Sequence, residues 1–416
     1  MCHDDKDVIM KSIEATASCS KDHTMRGCLR LPHVVLALSG VAFHGGALAV
    51  NGALPGGNGT KNASMGGASI ALPLDAVAAA NNPAGMAFVP SSTTFGLQVF
   101  RGQSSADYVL PGNHLENSQT ELAPEGGLVW QLDNGFTVGI SIAGAGAGSD
   151  YGQPALPVPG AGTAKTTLRV AEFIPTMAWK PTPELALGVG LTLAYQQFEA
   201  DGVIVPAPVP GGLLPLPSHG RQSAAGVGLR AGVLWKPTAE WSFGANLKSR
   251  VRMSGLDGYE QDLLAYSDGR LDVPAQYGVG VAWQPTERLT LAADWLRILW
   301  GEIKAMQDPN GFAWKNQPVL RFGASWLLDE RWTLRAGYSH NRSQIDSSRT
   351  VQNLLVPSIH EQAYTAGLSW RVDPRSELNL GYELNPRTTL TGTGASAGTS
   401  LTSKVQMLLL GYHYKF

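Results

Sequence analysis

The sequence predicts an all-β protein: a 14-stranded antiparallel transmembrane β-barrel with an N-terminal hatch, or plug, inside its lumen. Three observations carry this expectation. An export signal occupies the amino-terminal region, and most of the chain beyond it alternates apolar with small or polar residues at period two. Beyond the leader there is no run of about 18 or more apolar residues, the length a helix needs to cross a bilayer. An exported chain without helical spans can still enter a membrane by closing a barrel, where every backbone group finds a partner in a neighbouring strand.

The leader comes first. From Met25, Arg26 and Arg30 precede an apolar run that ends in the small-x-small triplet Ala47-Leu48-Ala49, the pattern of a signal peptide cleaved after about Ala49. Residues 1–24 carry mixed charge ahead of a good start and reflect an early start codon, so 1–49 reads as leader and signal peptide. Cys2, Cys19 and Cys28 all fall within it, which leaves the mature chain without a disulfide framework. With 15% charged residues and a net charge of −2, there is no footprint for nucleic acid.

The barrel, expected over 92–416, shows itself as a repeat. An alternating strand ends in Trp, a short turn with Pro, Asp or Asn comes next, and a second alternating strand begins. The instances are VWQLDNGFTV, AWKPTPELAL, LWKPTAEWSF, AWQPTERLTL, SWLLDERWTL and SWRVDPRSEL, around Trp130, Trp179, Trp235, Trp283, Trp326 and Trp370. In each the Trp sits at the same end of the hairpin and in phase with the apolar set, except near Trp179, where Glu172 and Pro175 blur the alternation. An aromatic girdle at one membrane interface explains that placement, whereas a soluble β-sandwich, which also alternates, would not require it. Six tight turns imply seven longer loops on the other side, hence 2 × 7 = 14 strands, with loops near 102–120, 148–165, 200–220, 254–271, 305–312, 346–357 and 391–400. The terminal LLLGYHYKF, with Leu408, Leu410, Tyr412, Tyr414 and Phe416 on one face, is the last strand. Its apolar face meets lipid.

Residues 50–91 do not alternate. They are small and apolar, with a helical stretch around Leu74 to Asn81, and a lumen of 14 strands is too wide for side chains alone to fill. A hatch folded into that lumen accounts for both facts. GTKNASMGGASIA, followed by D-x-V-x-x-x-x-N-P-A-G with Asn82, Pro83 and Ala84, resembles the hatch of the FadL/TodX family of outer-membrane transporters for long-chain fatty acids and other hydrophobic compounds. The resemblance implies the outer membrane of a Gram-negative bacterium and contact with its lipid and lipopolysaccharide. It further implies a terminal Phe416 read by the barrel assembly machinery, a single-chain monomer, and passive uptake without cofactor, metal or catalysis.

It also implies a route: an external apolar groove, a lumenal pocket near the hatch, and a sideways exit at a kinked third strand. The third loop supplies Val203, Ile204, Val205, Leu213, Leu214 and Leu216 for the groove, with Leu263, Leu264, Ala265 and Tyr266 of the fourth loop opposite. In the third strand Gly144, Gly146 and Gly148 mark a bulge or kink. A fatty-acid carboxylate leaving water needs a cation, and the candidates in lumen phase are Arg230, Lys248, Arg250, Arg321 and Arg335. Lumenal acids such as Asp294 or Glu383 compete for them, and an aromatic or alkane hydrocarbon would need none. Two other classes, an outer-membrane enzyme and a general diffusion porin, compete with this reading. Gly394-Ala395-Ser396-Ala397-Gly398 fits a nucleophile string but sits in a loop between strands, with His413 the only later histidine. A general porin would need an open lumen rather than a hatch.

Overall fold

The computed structural model describes residues 51–206 and 212–416. The leader, its cleavage site and the cysteines lie outside the described residues, as does the centre of the third external connection. Fourteen strands form the wall: β1 Ser92–Asp107, β2 His114–Gln131, β3 Phe136–Asp150, β4 Lys165–Trp179, β5 Leu185–Asp201, β6 Gln222–Trp235 and β7 Trp241–Lys248. They continue with β8 Gln276–Thr286, β9 Leu289–Ile298, β10 Gln317–Leu327, β11 Trp332–Asn341, β12 Gln362–Arg371, β13 Ser376–Thr391 and β14 Ser400–Lys415. Each pairs antiparallel with its sequence neighbours. β1 pairs with β14 from Ser92–Lys415 to Asp107–Ser400, which closes the barrel and excludes the sandwich. A short piece, Arg252–Met253, continues β7 and pairs with β6.

The alternation has the meaning expected of it. Along β5, Leu187, Val189, Leu191 and Leu193 are exposed while Ala186, Gly188, Thr192 and Ala194 are buried. An exposed apolar band of this extent is a lipid contact. At the tight-turn end the aromatics pair across strands: Trp241 stacks on Trp283 at 5.5 Å and Trp332 on Trp370 at 5.7 Å between ring centroids. Phe416 completes the belt at the seam, its ring 5.5 Å from that of Trp130. Trp179 also faces outward in phase with Phe173 and Met177. The β4–β5 register passes from Phe173–Leu193 to Thr176–Gly190, because Pro175 between them has no N–H to contribute.

Two expectations need correction. The first external loop, expected at 102–120, is mostly strand: β1 and β2 stay paired out to Asp107–His114, leaving a turn at 108–113. Apart from the buried pair Ala106–Leu115 its strand residues are glycine or polar, so no apolar alternation marks it, yet the backbone ladder does not require one. The helical stretch at Leu74–Asn81 is a single turn, Ala78–Asn81. The chain before it is bent by Asp75, whose carboxylate accepts the Val77 N–H at 3.0 Å.

Residues 51–91 lie against the inward faces of the strands. Their backbone groups bond wall side chains: Gly59 N–H to Glu125 at 2.9 Å, Ser69 N–H to Asp294 at 2.7 Å, Gly66 N–H to Thr365 at 2.8 Å. In return, the Ser242 hydroxyl donates to the Ala71 carbonyl at 2.8 Å. Glycines make this close approach possible. Directly paired glycines on neighbouring strands, Gly323–Gly337, Gly367–Gly381, Gly188–Gly232 and Gly244–Gly280, present bare backbone inward. A Cβ on Gly337 would collide with the backbone of Met65 and Gly66, one on Gly244 with Ile70, one on Gly188 with Pro83 and Ala84.

Two substitutions test this architecture. Leu229 is 64% exposed and six residues from Trp235, which at ~3.3 Å per residue and ~40° tilt puts it near the middle of the apolar band. Leu229→Arg should destabilise the barrel by about 2–4 kcal/mol, read as a lower urea midpoint for folding into bilayers. Gly337→Val should leave the barrel heat-modifiable on gels but unseat residues 51–91, raising conductance in planar bilayers. Unchanged conductance would show that the segment does not depend on that glycine.

Candidate functional site

The wall has a discontinuity in its pairing next to a cavity. β2 and β3 are paired only from Gln131–Thr137 to Gly126–Ile142. Beyond that level β2 continues on β1 and β3 continues on β4 as far as Asp150–Lys165, so the two edges run outward unpaired with each other. Through the same stretch β3 keeps an unbroken register with β4 at Gly144, Gly146 and Gly148, so the bulge expected at these glycines is absent from the β3–β4 ladder. The edge of β3 bonds elsewhere. Gly146 N–H donates to the Ala53 carbonyl at 2.9 Å, the Ser149 hydroxyl to the Leu355 carbonyl at 2.8 Å, and the Tyr151 hydroxyl to the Leu354 carbonyl at 2.9 Å. At the far end Asp150 N–H reaches the Asn117 side chain of β2 at 3.1 Å and bridges the two edges again.

Directly inside this break lies a cavity of about 70 Å³. Gly144 and Ala145 form one wall, Leu54, Ile70 and Pro83 of the amino-terminal segment another, and Glu172, Arg230, Lys248 and Arg321 supply its charges. Arg230 and Lys248 are direct cross-strand partners on β6 and β7, a like-charge pair that would repel if left alone. Glu172 on β4 stands between them. One of its oxygens takes Lys248 Nζ at 2.6 Å and the other takes Arg230 Nη2. Arg230 is further held by the Ala80 carbonyl at 2.6 Å and the Thr192 hydroxyl at 2.9 Å. Arg321 Nη1 donates to the Gly67 carbonyl at 3.3 Å, within the fields of Asp294 and Glu383, while its Nε has no partner among the described residues.

The residues singled out in the sequence are therefore gathered only in part. Gly144, Pro83, Arg230, Lys248 and Arg321 meet at the cavity. Arg335 bonds Ser369 on β12 and does not line it. Arg250 is not in lumen phase: β7 breaks after Lys248, and the guanidinium lies among the external connections, 3.9 Å from Asp272. Asn82 does mechanical work on the wall. Its amide donates to the Ile70 carbonyl at 2.7 Å and the Val233 carbonyl at 3.1 Å, and its oxygen caps the 3₁₀ turn Pro83–Phe88 through Ala84 N–H at 3.1 Å. Outside, Ile204–Pro206 pairs with Leu213–Pro215 in a small ribbon, with Leu213 and Leu214 nearly half exposed. Val203, Ile204 and Leu263 pack partly onto the apolar interior, Leu264 is buried within it, and Tyr266 is exposed. His219 bonded to Asp262 at 2.8 Å ties the third connection to the fourth.

Glu172 is the residue that sequence reasoning noticed only as a flaw. An acid in the middle of VAEFIPTMAW disturbs the pattern of a membrane strand, and that disturbance was the available signal. Glu121 on β2, which lies within the field of Arg169 on β4, left no comparable mark.

A family model for outer membrane protein transport proteins, OMPP1/FadL/TodX, matches residues 36–416. The crystal structure of a Pseudomonas aeruginosa FadL homologue is similar in fold, with a TM-score of 0.68 at 19% identity over 88% of this chain and 100% of that one. The P. putida toluene transporter TodX gives a TM-score of 0.68 at 19% identity over 87% and 99%, and the Ralstonia pickettii toluene transporter TbuX gives 0.64 at 17% over 87% and 99%. A comparison with curated protein sequences found no match. With a family model spanning nearly the whole chain and a closed barrel of the same fold, this protein belongs to the OMPP1/FadL/TodX family of outer-membrane transporters of hydrophobic compounds.

Proposed function

We propose that the protein takes up long-chain fatty acids or similar hydrophobic molecules passively, by a path that ends in the membrane rather than in the periplasm. The observation that carries this reading is the coincidence of the β2–β3 break with the cavity at Gly144 and Ala145. Substrate settles on the apolar third and fourth connections, passes to the cavity and leaves sideways between the unpaired edges. At about 70 Å³ the cavity is far below the roughly 300–1,000 Å³ of a pocket that encloses a small molecule. Passage therefore requires residues 50–91 to move as a hatch. The bond from Gly146 to Ala53 couples that movement to the β3 edge. Assembly through recognition of Phe416 belongs to the same reading.

A second reading, uptake of uncharged aromatic or alkane hydrocarbons, is favoured by one feature: both Arg230 and Lys248 are already paired with Glu172. Either substrate class uses the same exit. The exit is testable because the Cβ of Ala123 lies 3.8 Å from where a Cβ on Gly144 would sit, a separation a disulfide spans at about 3.8 Å, and no cysteine follows Cys28. In Ala123→Cys/Gly144→Cys, oxidation should abolish uptake of oleate and toluene alike into cells, and reductant should restore it. Gly146→Leu should slow uptake without harming assembly. Full uptake by the oxidised double variant would rule out the lateral exit.

A further inference from the structure

Glu172, Arg230 and Lys248 are each more than nine-tenths buried, and they meet beside the wall break: Glu172 is the cross-strand partner of Ala143, next to Gly144. The carboxylate spends one oxygen on each cation. Three Arg230 nitrogens are committed, to Glu172, Ala80 and Thr192. A substrate carboxylate arriving here meets cations whose counter-ion is built into the wall. To reach them it must share the site with Glu172, and two buried carboxylates at close range repel, or it must push Glu172 aside and leave that charge buried without a partner. A hydroxyl, an ether or a bare hydrocarbon incurs neither cost.

We infer that Glu172 is a specificity-determining residue, an internal carboxylate that occupies the place of a substrate carboxylate and so makes the cavity favour uncharged hydrophobic molecules over fatty-acid anions. The inference rests on the proposed uptake of hydrophobic molecules and, of its two substrate readings, takes the uncharged one over the fatty-acid anion. Selectivity of this kind arises from a disfavoured competitor and not from an added attraction.

Oleate and oleyl alcohol share a chain and differ in the head group, so they isolate the effect. Both are measured at about pH 8 by displacement of an uncharged naphthylamine dye from the detergent-solubilised protein, a readout that does not depend on the lateral exit. The wild-type protein should bind oleyl alcohol at least tenfold more tightly than oleate. In Glu172→Gln, oleate affinity should rise at least tenfold while oleyl alcohol changes less than twofold. Because that variant leaves Arg230 facing Lys248 and could fold poorly, Glu172→Gln/Lys248→Gln is the companion. It keeps the net charge of the cluster but lacks the internal carboxylate, and its oleate affinity should still exceed that of the wild type several-fold. An unchanged ratio of the two affinities in both variants would overturn the inference while leaving the uptake reading intact. Binding of neither probe to any of the three proteins would overturn both.

Discussion

One constraint governs this molecule: in a bilayer there is no water to satisfy a backbone N–H or C=O, so every strand must be paired on both sides. Closure of β14 on β1 meets that demand with a single chain. The constraint also releases the outward side chains from any polar task, which is why a leucine more than half exposed, such as Leu229, is normal here and would be a liability in a soluble protein. The strands' twist and tilt need no disulfide to hold them, because the hydrogen-bond ladder runs around the ring.

Against that background the outer half of β3 stands out. Its edge leaves β2, and two of its N–H groups find other partners, Gly146 at the Ala53 carbonyl and Asp150 at the Asn117 side chain. Beside it the side-chain hydroxyls of Ser149 and of Tyr151, just past the strand, donate to the carbonyls of Leu355 and Leu354. One bond in place of the wall pairing, from Gly146 to Ala53, ties the β3 edge to the amino-terminal segment. The proposed lateral path uses this bond. The glycines opposite one another around the lumen serve the same end from the other side, since bare backbone on the wall lets the segment approach closely enough for direct backbone contact.

Two kinds of task stand out among the buried acids of the wall. Glu125 and Asp294 accept N–H groups of the amino-terminal segment and hold it in place. Glu172 faces the cavity and compensates two cations there. Both kinds obey the rule that a charge away from water must be met by partners, but of these three only Glu172 lines the cavity.

The strand count, the direction in which each side chain faces and the aromatic belt were legible because each is a local matter: period-two alternation and the position of Trp beside a turn are written in neighbouring residues. The extent of the first external loop is not legible for the same reason, since its strands continue on backbone pairing with almost no apolar stripe to announce them. The family motif around Asn82 was likewise visible, although its work of clamping the Ile70 and Val233 carbonyls was not. Which lumenal cations share a counter-ion, and which glycine faces which backbone, depends on register between strands far apart in the chain. Glu172, Arg230 and Lys248 come from three strands, and Ala53 bonds Gly146 from 93 residues away in the chain. Residue identity and spacing determined the barrel; only the closed ring, by bringing distant strands to one level, decided the site.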